Sequence, residues 1–384
     1  MFESLTGEDL RLLVQRVFKP QDSDRGLLIM VDLPDDRLPD NADWRARREL
    51  ATGWFASLAG EMKALKLDRL TLAWYPNAGG NNADLPLHAV CAAPDWTPAQ
   101  ASDLAGRETV PFTTLFAEHS MVMAPTELSA TAPLKVATRE HAGFRAATMP
   151  GFLASMVPAL KLDYGEINRR VNMLKDLCDA SESCVVVTET SLGRHELHLD
   201  LRHRTGHASG GLFPHNGIAG NLPSGEAYIV PYEGEMADDP SRTTGELPVQ
   251  LGEELALLEI SQNRVQAVHG EGDLVQAERD HFEREPAYRN LAELGLGVLG
   301  DFGLQPTGSI LLDEKLGLHI AFGRSDHFGG QVGPADFSGP DAVIHLDRVY
   351  IRETQPLVLV REVRLEGPEG ARTIIVDGEF AGVF

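Results

Sequence analysis

The sequence predicts a mixed α/β and α+β protein in two parts, an N-terminal α/β domain with a parallel sheet over residues 1–182 and a β-rich domain over residues 183–384 that carries the metal-binding candidates. Three observations carry that prediction. Short continuous apolar runs alternate with helical-period stretches in the first part of the chain, which is how parallel strands joined by crossover helices read. A long amphipathic stretch, Asp163–Ala180, then closes the first part. Beyond it the hydrophobic period changes to strand-like runs punctuated by Gly, Asn and Asp.

Leu5, Leu10, Leu13, Val14 and Val17 recur at helical spacing and predict a helix over residues 3–18 with Thr6 as its cap. Gly26–Pro34 is an apolar run ended by aspartate and proline, suiting a buried strand. Residues 41–66 return to helical spacing through Trp44, Leu50, Phe55, Leu58, Met62 and Leu65, and Arg69–Tyr75 and Ser120–Pro125 continue the sheet. No G-x-G-x-x-G follows the first strand, so Gly79-Gly80 reads as a turn. Residues 150–180 read as helical. In the second part, Cys184–Thr190, His195–Leu201, Glu226–Glu233, Leu255–Ile260, Arg264–Val268, Ala342–Ile351, Pro356–Leu365 and Arg372–Phe380 read as strands, with Gly234–Glu246 as an exposed acidic loop.

The formal net charge of -23 excludes the basic footprint of a nucleic-acid binder and would repel an anionic membrane. Cys91, Cys178 and Cys184 sit at no metal-ligand spacing and read as buried apolar thiols. The N-terminal residues carry acids early, with no apolar h-region, and no run reaches the ~18 apolar residues of a membrane helix. Signal peptide and membrane span are therefore not expected, and the cytoplasm is the expected compartment.

Chemistry concentrates in the last third. In an extended segment His345 and Asp347 point to one face and can offer an imidazole and a carboxylate to one ion, while Leu346 points the other way. His319, expected at the end of a helix through Leu311–His319, supplies a third donor if that helix folds back. Glu226 stands where the Gly- and Pro-rich loop Gly220–Gly225 meets a strand, and Glu293 lies in an otherwise apolar run, where an ionised carboxylate needs a cation or strong donors. Asp326 and His327 precede Phe328-Gly329-Gly330, whose glycines permit close backbone approach, so a histidine there can move a proton and the pair is the candidate catalytic couple. Glu314, beside Asp313, is the candidate outer acid orienting a ligand histidine, helix capping being the rival reading. No G-x-S-x-G or nucleophilic cysteine setting supports covalent catalysis.

The string NLPSGE at Asn221–Glu226, the acid before a Gly-rich apolar run, the segment LLDEKLGLH and the terminal H-x-D occur in that order along the chain. Together they resemble the aminopeptidase T family of metallopeptidases over about residues 185–384. The resemblance implies a two-metal site carried by Glu226, Glu293, His319, His345 and Asp347, with Zn²⁺, Co²⁺ or Mn²⁺ as cofactor and a peptide or small amide as substrate. The family has a second acid where this chain has Gly225, and a tyrosine where it has Asp326. The scaffold is also similar to that of the dihydroxypyridine dioxygenases, which implies the alternative of one Fe²⁺ held by His319, His345 and Asp347. A third reading is a peptide-binding protein without catalysis, and a homodimer is the expected assembly.

Overall fold

The computed structural model describes residues 4–91, 96–141 and 143–384. It has the mixed α/β architecture expected, with one largely parallel sheet and two antiparallel ones. The chain forms two compact units: Met1–Asn168 with Gly211–Ser224 and Thr307–Leu312, and Arg169–Gly210 with Gly225–Pro306 and Asp313–Phe384. Each unit is thus assembled from segments that are discontinuous in sequence.

In the first unit a seven-stranded sheet is ordered Ala219–Asn221, Arg145–Thr148, Met121–Ala124, Gly26–Leu33, Arg69–Pro76, His88–Cys91, Val110–Pro111. The first five strands run parallel and the last two antiparallel. All of Gly26–Leu33 is buried, as a central strand covered on both faces must be. Thr6 caps the helix Gly7–Phe18 through a reciprocal box with Asp9. The expected helix over residues 41–66 is broken: Ala42–Ala59 ends at Gly60, and only the short turn Met62–Leu65 follows. Residues 150–180 likewise divide into a 3-10 segment, Ala154–Lys161, containing Pro158, and the α-helix Tyr164–Asp179. Arg145 grips Asp24 with two charge-assisted hydrogen bonds of 2.8 and 2.6 Å and also donates to the Phe18 carbonyl.

The second unit holds two antiparallel sheets. The larger runs Arg264–His269, Glu254–Ser261, Thr244–Leu251, Gly193–Asp200, Ser183–Thr190, Leu359–Gly367, Gly370–Val376, Glu379–Phe380. The smaller runs His345–Val349, Leu318–Gly323, Leu291–Gly297, Glu226–Ile229, His207–Ser209. Asp273–Arg284 forms a helix that the strand-like reading of this part of the chain does not anticipate. The last three residues of the expected loop Gly234–Glu246 belong to a strand, where Glu246 accepts from His195 at 2.8 Å. Cys178 and Cys184 are buried, but Cys91, expected to be buried, is exposed at its strand end. No helix among the described residues is long and apolar enough to cross a membrane.

Candidate metal centre

The centre is built on one face of the five-stranded sheet. Residues two apart on a strand share a face, and directly opposed residues of antiparallel neighbours share it too. Glu226 opposes Gly297, Gly295 opposes His319, Glu293 and Asp347 both oppose Ala321, and His345 opposes Gly323. The register therefore collects Glu226, Glu293, His319, His345 and Asp347 on a single face and sets Gly295, Gly297, Ala321 and Gly323 between them.

Gly295 is required by the space. A Cβ on Gly295 would lie 1.9 Å from His319 Nε2, so the imidazole rests directly on that backbone. His319 itself is not at a helix end. Residues Ile310–Asp313 make a single turn and Glu314–Leu316 a 3-10 turn; Gly317 is extended, and His319 sits second in the strand Leu318–Gly323. The hydrophobic spacing of LLDEKLGLH is shared by a buried strand entered from a turn, which is why the helical reading fails there.

Glu293 lies at the middle. It is buried, with Oε1 3.2 Å from His319 Nε2 and Oε2 3.1 Å from His345 Nε2. Asp347 Oδ1 is 3.4 Å from His345 Nε2, and Glu226 Oε2 is 3.7 Å from His319 Nε2. His345 Nδ1 donates to the Arg324 carbonyl at 2.7 Å, which aims Nε2 into the centre. Two donor sets result, Glu226–Glu293–His319 and Glu293–His345–Asp347, with Glu293 in both. Glu226 Oε2 and His319 Nδ1 are buried and have no hydrogen-bond partner among the described residues. The Glu293–His345–Asp347 set, two carboxylates and an imidazole turned to one another on one sheet face, has the N/O chemistry that fits a divalent cation.

The charges are strongly coupled. Burial opposes ionisation of Glu293, but the hydrogen bonds from His319 and His345 prevail and hold its carboxyl well below the usual range. Burial also disfavours protonated His319, yet Glu293, Glu226 and Asp347 hold it up at about 9. His345 is raised well above its ordinary value against the same burial penalty, chiefly by Asp347 and Glu293. A cation and these protons compete for the same lone pairs.

Lys315 gave no signal in the sequence and is the unexpected member. It is fully buried, its Nζ is 3.0 Å from Glu226 Oε1, and it also pairs with Glu314. Glu314 thus contacts the ammonium, and burial together with Glu226 and Asp347 pushes its carboxyl up to about 8 despite Lys315. An aromatic wall stands beside the centre: Tyr228 stacks on His207 and meets Phe328 edge-on, and Phe328 meets His345. His207 Nε2 lies 3.0 Å from the Phe328 carbonyl, fixing the wall. Asp326 pairs with Arg324 at 2.6 Å, and the His327 ring packs on Phe328 with its centroid 5.5 Å from that of His345. Burial, with His345 and Arg324 nearby, lowers His327 to about 4.

No protein-family model and no curated protein matches the sequence. Among solved structures, the chain is similar to the 2,5-dihydroxypyridine dioxygenase from Pseudomonas putida KT2440, at 14% identity and a TM-score of 0.61, over 98% of each chain. It is also similar to wild-type AmpT from Thermus thermophilus, at 13% identity and a TM-score of 0.57, again over 98% of each chain. What these likenesses establish is a shared fold.

Proposed function

We propose that the chain is a metal-dependent hydrolase of aminopeptidase type, acting on a peptide or small amide at the Glu293 centre. The supporting observation is that Glu293 turns one oxygen to His319 and the other to His345 and so belongs to both donor sets. His319, His345 and Asp347 do not form a compact donor set of their own among the described residues, as a facial triad would. A divalent ion, Zn²⁺, Co²⁺ or Mn²⁺, supplies polarisation of a carbonyl and a water acidic near neutral pH. Glu293, His345 and Asp347 orient the centre, and Tyr228 and Phe328 exclude water along one side.

The dioxygenase reading draws on fold likeness. Elemental analysis of protein purified without chelator, with amino-acyl anilides and a dihydroxypyridine as paired substrates, separates the two. Bound divalent metal, anilide hydrolysis, and loss of both in His345→Ala and Asp347→Ala are the expected results. Oxygen uptake with the dihydroxypyridine and a single Fe²⁺, without anilide hydrolysis, would replace the hydrolase by the oxygenase; peptide binding with no metal would leave a non-catalytic binder.

A further inference from the structure

We infer that Lys315 stands where a second cation would stand, so that the chain holds one tightly bound divalent ion at Glu293, His345 and Asp347 and is closed to another at Glu226. The inference rests on the hydrolase reading only for the existence of the first ion.

Four facts converge. The Lys315 ammonium is fully buried and lies 3.0 Å from Glu226 Oε1, so Glu226 already has its counter-charge. Glu314 lies against the same ammonium, so the Lys315 charge is held between two carboxyl groups inside the protein and not by water. Its backbone is pinned: Gly297 N donates to the Gly317 carbonyl at 2.8 Å, and a Cβ on Gly297 would lie 2.2 Å from the Lys315 carbonyl carbon. Finally, the two donor sets share Glu293. With Glu293 Oε2 turned to His345, the other set has Glu293 Oε1, His319 and a glutamate already paired with an ammonium. A divalent ion there would face a like charge at close range in a medium that screens poorly.

The test is metal stoichiometry, by elemental analysis and by calorimetric titration of the metal-free protein with Zn²⁺. Wild type is expected to bind one ion per chain and Lys315→Met two. Because Lys315→Met leaves buried carboxylates unpaired and can weaken the fold, Glu226→Gln is measured beside it; with Lys315 retained it should still bind one ion. Two tight ions in wild type, or loss of the ion in Glu226→Gln, overturns the inference while leaving the hydrolase reading intact. One ion without anilide hydrolysis supports the inference and removes the hydrolase reading, and no ion in wild type removes both.

Discussion

Gly26–Leu33 in the first unit and Leu291–Gly297 in the second are both buried along their whole length, yet they are buried for opposite reasons. The first, GLLIMVDL, fills its surroundings with Leu28, Met30 and their neighbours, each large apolar side chain contributing about 1.5–3 kcal/mol. The second, LAELGLG, puts a carboxylate and two glycines on one face, giving up apolar contact to make room for charge. Burial alone therefore does not separate a strand of packed apolar side chains from one that carries buried charge; what occupies the alternate positions does.

The largest expected effect tests structural charge against functional charge. Asp24→Asn should cost about 3–5 kcal/mol, because it leaves the Arg145 guanidinium buried without its counter-ion; metal content should not change, and denaturant unfolding with elemental analysis checks both. Burial raises the Asp24 carboxyl, but Arg145 outweighs it and the folded value lies below 3.8. Its stabilisation is thus present above about pH 3.8 and lost as pH falls through the folded value, and the variant should lack that acid-side loss. Leu28→Ala should cost about 2–5 kcal/mol, again with metal content unchanged. Gly295→Ala should cost about 1–3 kcal/mol, and it should also displace His319 and lower metal content. A Gly295→Ala protein with normal metal content would erase the distinction between the two strands. Thr6→Ala, remote from both, should cost about 1 kcal/mol by thermal melting and alter nothing else.

The alternation of His345 and Asp347 and the isolation of Glu293 among apolar residues were legible because both are local patterns of a strand. The strand carrying His319 was not, since Leu318–Gly323 is short, uniformly buried and entered from a turn whose spacing mimics a helix. Lys315 carries no local pattern in the sequence; its burial depends on the crossing of its turn over the distant Gly297 backbone. The wall of His207, Tyr228 and Phe328 depends on pairing between segments far apart in the chain, which no local period encodes. The parallel sheet was the easier case, because its strands are continuous apolar runs.

The alternating small residues have a use outside this molecule. Read along one face, three neighbouring strands spell Glu-x-Gly-x-Gly at 293–297, His-x-Ala-x-Gly at 319–323 and His-x-Asp at 345–347. Overall identity to the structures sharing the fold is 13–14%, where whole-chain alignment carries little information. Three short words in fixed order, the first of them set by the His319 imidazole lying against Gly295, form a query for distant chains able to place the same donors, and a chain with a side chain at position 295 would be marked as one that cannot seat the imidazole in this way.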